Sequence, residues 1–299
     1  MNLSFILLLA LFGAASSQKL NPAENNYLQS ICGTQPNLGR KRFIDGSIGV
    51  PSNHSAKPYI KNIFGGIPVS AYDAPWSVKV LIAPTTYCSG TIISSRHILT
   101  ARHCIEDLPA VVAGSLYSCD NFNQMRTGVF YDLNIELADG SRLPQKITTI
   151  YEAGGCNSHW SQADLMILQL ERDISFSVSA YPVCVPKDTS RSQRGSPVEL
   201  YSYGANSRGD TNSGGGVLRY GHMTINAIYD YGRQYEMYST KFAARKGDSG
   251  GGYLQKWDGR RYVIGVMSTS DETMSPYGPS YGPLVGYYYP MICQYTGIC

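Results

Sequence analysis

Short apolar runs of strand length, separated by Gly, Pro, Ser or Asn, constrain this chain more than any other feature. They cover residues 76–82, 90–93, 98–101, 110–112, 165–170, 198–203, 216–220 and 262–267. Runs this short end before a helix could present a full apolar face, and the residues between them favour turns. No stretch keeps a helical period beyond about three turns, and no repeat of fixed period occurs. The expectation is an all-β sandwich or barrel.

The runs begin after residue 62, and what precedes them differs. Residues 5–12 form an apolar segment too short to span a bilayer, followed by the small residues Ala15 and Ser17. This pattern predicts a signal peptide over 1–17, cut before Gln18, and therefore a secreted, extracellular protein. Residues 18–62 are polar and rich in Asn, Gly, Pro and Lys, and read as a propeptide, leaving 63–299 as the folded domain. Within that segment Asn53-His54-Ser55 is a glycosylation sequon. Arg40-Lys41-Arg42 is either a processing site or a solvated charge cluster, and the second reading is preferred. Export exposes the eight cysteines to an oxidising compartment, where pairing is expected. None of them forms a C-x-x-C pair or lies at ligand spacing from a histidine, so no metal or other cofactor is expected. The net charge of +3 is too small to argue for nucleic acid or an anionic membrane, and neither is expected as a partner.

The chemistry concentrates in Arg245-Lys246-Gly247-Asp248-Ser249-Gly250-Gly251-Gly252. Glycines on both sides let bare backbone approach a substrate carbonyl and aim N–H groups at a developing oxyanion. A serine nucleophile also needs a base and a group that orients the base. Among the five histidines, His103 stands out, because Leu99-Thr100-Ala101-Arg102-His103-Cys104 follows a strand-like run. Bridging Cys88 to Cys104 would close a short loop beside it, worth roughly 3 kcal/mol through the unfolded chain.

At this point the sequence resembles the chymotrypsin and trypsin family of serine proteases. Ile63-Phe64-Gly65-Gly66 resembles that family's mature N-terminus, and Thr100-Ala101-Arg102-His103-Cys104 its histidine motif. Asp164-Leu165-Met166-Ile167-Leu168 resembles the aspartate motif and Gly247-Asp248-Ser249-Gly250-Gly251 the serine motif, in the family's chain order. The resemblance implies two six-stranded antiparallel β-barrels with the active site between them. It implies Ser249 as nucleophile, His103 as general base and acid, and Asp164 as the group that orients the imidazole. It also implies an oxyanion hole from the N–H groups of Gly247 and Ser249. Ala243 would be the floor of the specificity pocket, with Ser268 and Ser270 on the strand that holds the substrate. Cleavage before Ile63 would free an amine to pair with Asp248, converting an inactive zymogen into an enzyme. Cys32–Cys184 would tether the propeptide and Cys119–Cys156 would form a further bridge, with the pairing of Cys293 and Cys299 left open. The implied partners are a protein or peptide substrate and an activating protease, and the enzyme is expected to be a monomer.

Several residues depart from the family pattern. Asn62 precedes Ile63 where the family has Arg or Lys, so an Asn-selective protease or a trimming step would be needed to expose Ile63. Arg102 replaces a small residue beside the histidine, Gly252 replaces a proline, and Arg245 stands where a pocket-bracing cysteine is usual. The uncharged floor at Ala243 and Ala244 suggests cleavage after an apolar or small residue, with Asp271 and Glu272 on another wall. Two other functions compete with the secreted endopeptidase. One is a catalytically impaired protease-fold binding or regulatory protein, although such relatives usually lose the serine or histidine. The other is an esterase: Gly247 to Gly251 fits Gly-x-Ser-x-Gly, but the order His, Asp, Ser does not fit that fold.

Overall fold

The computed structural model describes residues 19–36, 66–82, 87–105, 116–120, 123–130, 132–153, 164–205, 216–229, 234–271 and 277–299. The expected signal peptide, Asn53, Ile63, the strand expected at 110–112 and Cys156 lie outside them. The chain enters through helix α1 (Pro22–Ile31) and a two-residue strand, β1 (Ile67–Pro68).

The first sheet contains β2 (Ser77–Leu81), β3 (Tyr87–Ile92), β4 (His97–Thr100), β5 (Leu116–Asp120), β6 (Asn123–Phe130), β7 (Asn134–Leu137), β8 (Ile147–Glu152) and β9 (Met166–Leu170). Their spatial order is β5-β6-β8-β9-β4-β3-β2-β7. The second contains β10 (Pro197–Ser202), β11 (Arg219–Tyr229), β12 (Gln234–Tyr238), β13 (Gly252–Trp257), β14 (Arg260–Val266), β15 (Thr269–Ser270) and β16 (Ser280–Pro283). Its order is β14-β13-β10-β11-β12-β16-β15, with β1 joined to β11. Every pairing between these strands is antiparallel, and the two curled sheets make the expected double β-barrel. Counting the shortest pairings, such as β1 and β15, each sheet has eight strands among the described residues. The chain ends in helix α2 (Tyr289–Thr296), which Cys293–Cys299 closes into a small loop.

Three apolar layers follow from strand alternation. Val80, Ile92, Ile98, Ile135, Ile150, Met166 and Leu168 fill the first barrel, and Leu200, Met223, Ile225, Tyr235, Tyr253 and Ile264 fill the second. Between them lies a third cluster that includes Trp76, Leu99, Ile167, Tyr201 and Val263. Strand β9 serves two layers at once. Met166 and Leu168 point into the barrel and Ile167 points at the partner sheet, so residues 165–168 read as one continuous apolar run. The buried polar Gln169 follows and accepts from the Tyr151 hydroxyl. Strand β11 instead alternates buried Met223 and Ile225 with exposed His222, Thr224 and Asn226. Its polar half hides it from a search for apolar runs.

The N-terminal segment is more than a polar tail. The Asn21 side chain caps α1 by accepting from the N–H groups of Ala23 and Glu24, and Glu24 accepts from Asn21 N–H in return. Leu20, Leu28 and Cys32 are buried in the layer between the sheets. The Arg260 guanidinium donates to the carbonyls of Gln29 and Ser30 at 2.6 and 2.9 Å, covering the negative end of the helix. Arg96 joins Glu24 to Asp173, and Cys32–Cys184 adds a covalent link.

Candidate active site

Two loops, one from each sheet, meet where the barrels face each other. On the first side, β4 ends at Thr100 and the chain makes a 3-10 turn over Arg102–Cys104. Cys104 is bonded to Cys88 of β3, so its sulfur is not a free thiolate beside the imidazole. Antiparallel pairing sets Thr100 opposite Met166, which brings Asp164, two residues earlier, to the same edge. The Asp164 carboxylate receives the backbone N–H of His103 at 2.8 Å on one oxygen and His103 Nδ1 at 2.7 Å on the other. The Ser268 hydroxyl also donates to that second oxygen, in a short hydrogen bond. With Nδ1–H turned to a carboxylate, Nε2 carries the lone pair. Burial pushes the Asp164 carboxyl upward, but the hydrogen bond and charge of His103, with Ser268, outweigh it and hold it below the usual value. The imidazole is 40% exposed and the carboxylate 12%, so the base faces the cleft and its anchor does not.

Arg102, the unexpected neighbour of the histidine, finds its explanation here. Its guanidinium lies 3.4 Å from Glu152 at the end of β8, and Arg126 of β6 pairs with the same buried carboxylate. A small residue at this position would leave Glu152 with one cation instead of two.

On the second side, Ser249 sits in a tightly folded glycine loop. Gly250 has φ of +84°, and a Cβ there would lie 2.1 Å from the Ser89 carbonyl and 2.2 Å from Thr100 Oγ1. Only glycine lets this backbone press against the first sheet. Hydrogen bonds from Gly250 N–H to the Met267 carbonyl and from Met267 N–H to the Gly251 carbonyl tie the loop to the end of β14. The Ser249 hydroxyl is 3.4 Å from the Ser268 carbonyl. Ser268 therefore touches both sides, its hydroxyl on Asp164 and its carbonyl at Ser249. Among the described residues, the N–H groups of Gly247 and Ser249 meet no acceptor. Such a pair of unused donors beside a serine could stabilise an oxyanion.

Asp248 points the opposite way and is wholly buried. Its carboxylate accepts from Ser202 Oγ at 2.6 Å, Gly204 N–H at 2.7 Å and Arg245 N–H at 2.7 Å. Gly204 makes the space, since a Cβ there would fall 2.2 Å from the carboxyl carbon. Burial raises this carboxyl to about 6 against those hydrogen bonds and the nearby Arg245 charge. Ala243 and Ala244 are fully buried, and Arg245 is buried with its guanidinium donating to the Ala244 carbonyl. Ser270 lies on β15, at the edge of the second sheet, and Glu272 lies outside the described residues. Of the expected disulfides, the structure joins Cys32 to Cys184 and Cys88 to Cys104. Cys119 lies on β5, but its expected partner is not described.

The structure thus brings His103, Asp164, Ser268 and Ser249 into one connected group. Sequence reasoning missed Ser89, Ser202 and Gly204, which hold the serine loop from outside it. A serine where the chain packs against a glycine loop carries no local signal. Only the fold sets β3 beside residues 247–249.

The chain also resembles known proteins in sequence. The sequence model described as Trypsin matches residues 63–292. The CLIP domain-containing serine protease B4 of Anopheles gambiae is 24% identical over 235 residues, 69% of this chain and 62% of that protein. The Spaetzle-processing enzyme of Drosophila melanogaster is 27% identical over 144 residues, covering 44% of this chain and 36% of its own length. The venom serine protease Bi-VSP of Bombus ignitus is 31% identical over 134 residues, 42% of this chain and 33% of that protein. The chain thus spans less than two thirds of the length of each of these relatives.

Proposed function

The chain belongs to the trypsin family, as a divergent chymotrypsin-like member, and from that premise we propose that it is a secreted serine endopeptidase activated from a precursor. The observation that carries this reading is that Asp164 holds His103 Nδ1 and also accepts from the Ser268 hydroxyl, while the Ser268 carbonyl lies beside the Ser249 hydroxyl. In the proposed reaction His103 Nε2 takes the Ser249 proton as Oγ attacks the scissile carbonyl. Asp164 keeps the imidazole in the right tautomer and stabilises the imidazolium. The N–H groups of Gly247 and Ser249 receive the oxyanion, where one donor is typically worth about 3 kcal/mol. His103 then protonates the leaving amine, and water releases the acyl group by the same steps in reverse order.

Activation is the second part of the proposal. Cleavage before Ile63 would free an amine, and Asp248 is its intended partner. Residues 18–62 act as the propeptide, and Cys32–Cys184 with the docking of α1 keeps the fragment attached after the cut. The named activities of the relatives, among them processing of Spaetzle, suggest a protein substrate here too. The buried alanines at 243 and 244 support cleavage after a small or apolar residue.

The test is labelling of the secreted protein that begins at Ile63 with a fluorophosphonate. Ser249 should be modified, and Ser249→Ala should fold normally with no label and no peptide cleavage. An unlabelled but correctly processed wild type would instead mark a binding protein on a protease fold.

A further inference from the structure

We propose that Ser89 is a positioning residue for the oxyanion loop, its hydroxyl clamping the Gly247 carbonyl so that the N–H groups of Gly247 and Ser249 stay aimed into the cleft. The inference rests on the reading of Ser249 as nucleophile, and it adds a residue from the opposite sheet to the apparatus.

Ser89 lies on β3 and is fully buried. Its Oγ donates to the Gly247 carbonyl at 2.8 Å and accepts the Tyr203 N–H at 3.0 Å. Its own N–H donates to the Ser249 carbonyl at 2.7 Å, and its carbonyl accepts from Thr100 Oγ1 at 2.8 Å. One residue therefore grips the carbonyls on both sides of Asp248. Through Tyr203 it also grips the corner whose neighbours, Ser202 and Gly204, hold the Asp248 carboxylate.

The physical need for such a grip comes from Gly247. At φ of +92° and without a side chain, this residue imposes little barrier to rotation of the peptide groups on either side of it. Rotation of the preceding group would turn the Gly247 N–H out of the cleft. Its carbonyl, on Lys246, is held by the Ala205 N–H at 2.7 Å, and the following carbonyl is held by Ser89. Rotating either group would strand a polar atom in a buried place. Ser89 is also next to Cys88, whose disulfide partner adjoins His103. The same two residues of β3 thus fasten the base and the oxyanion donors, fixing one relative to the other.

Ser89→Ala removes the clamp and little volume, and Ser89→Gly serves as a second variant lacking the hydroxyl. In the processed enzyme, kcat and the affinity for a peptidyl boronate, whose boron oxygen fills the oxyanion site, should both fall roughly ten- to hundredfold. KM and the affinity for a non-reactive peptide of the same sequence should stay within about twofold. Unchanged kcat, or equal losses for boronate and peptide, would overturn the proposal and leave Ser89 a packing residue. Hydrogen exchange supplies a readout that does not need turnover. In a Ser249→Ala background, the Gly247 and Asp248 amides should exchange about tenfold faster when Ser89 is also replaced, and unchanged exchange would overturn the clamp. If wild type neither cleaves nor labels, the protease reading fails, and exchange alone judges Ser89.

Discussion

The two halves of the site are built by different means. On the first sheet, His103 stands beside a disulfide, its anchor Asp164 receives three hydrogen bonds, and the adjacent Arg102 is held by a buried carboxylate. On the second, residues 247–251 are held by glycine geometry and hydrogen bonds, those from the Ser89 and Ser202 hydroxyls among them, and among the described residues no disulfide joins that loop to anything. The two aspartates follow the same division. Asp164 has its charge compensated and is held low, whereas Asp248 is buried without a full counter-charge and pushed up to about 6. Under the proposed activation by cleavage, the His103 side is the rigid half and the glycine loop the conditional one.

Asp164→Asn attacks the rigid half and should have the largest effect. It leaves the shape intact but removes the acceptor for Nδ1–H, and kcat should fall by about 10⁴-fold with KM little changed. Steady-state kinetics on the processed enzyme measure this. Next comes Gly250→Ala on the conditional half. The methyl would have to enter the space of the Ser89 carbonyl, so thermal unfolding should show a loss of several kcal/mol or no folded protein. If both substitutions were tolerated equally, the contrast between the halves would be wrong.

Removing the Cys88–Cys104 bridge with a double alanine variant should cost about 3 kcal/mol in denaturant unfolding. The loss should be accompanied by a fall in kcat, because the bridge holds the turn that carries the base.

The pH dependence sharpens the comparison further. Asp248 has a folded value raised above the ordinary carboxylate value near 3.9. Its stabilising contribution is complete below that value and is lost as pH rises through about 6. The uncleaved chain should therefore melt progressively lower from pH 4 to 6, by about 3 kcal/mol in all, and Asp248→Asn should flatten that slope. Asp164 has the opposite sign, and its contribution is present at neutral pH and lost as acid protonates it. In the processed protein an inserted amine would neutralise Asp248 and remove its slope. A slope that survived processing would argue against that pairing. The smallest effect belongs to Arg260→Ala, which should loosen α1 by about 1 kcal/mol and be read as faster hydrogen exchange in residues 22–31.

The contiguous β9-β4-β3-β2 part of the first sheet was legible because its strands are mostly buried. The run at 165–170 became β9, which starts one residue later, and that at 98–101 became β4, displaced by one residue at both ends. Strands β5, β6, β7, β8, β12, β13 and β16, with the two-residue β1 and β15, were not foreseen, since their sequences mix polar or turn-forming residues with apolar ones and only pairing identifies them. Helix α1 was missed for a related reason. Its fully buried anchor within the helix is Leu28 alone, and the rest of its support comes from Arg260, Arg96 and the bridge to Cys184. At the site, motif order pointed to His103, Asp164 and Ser249, while nothing local marked Ser89 or Glu152.

By itself the sequence determined the strand-rich class, the family and the residue types able to carry acyl transfer, because these are encoded in short-range patterns of burial, turn and motif. Tertiary structure alone decided which distant groups restrain them: Ser89 on Gly247, Glu152 on Arg102 and Ser202 on Asp248. Those pairings depend on which strands lie edge to edge, and antiparallel register joins residues that the linear order keeps far apart.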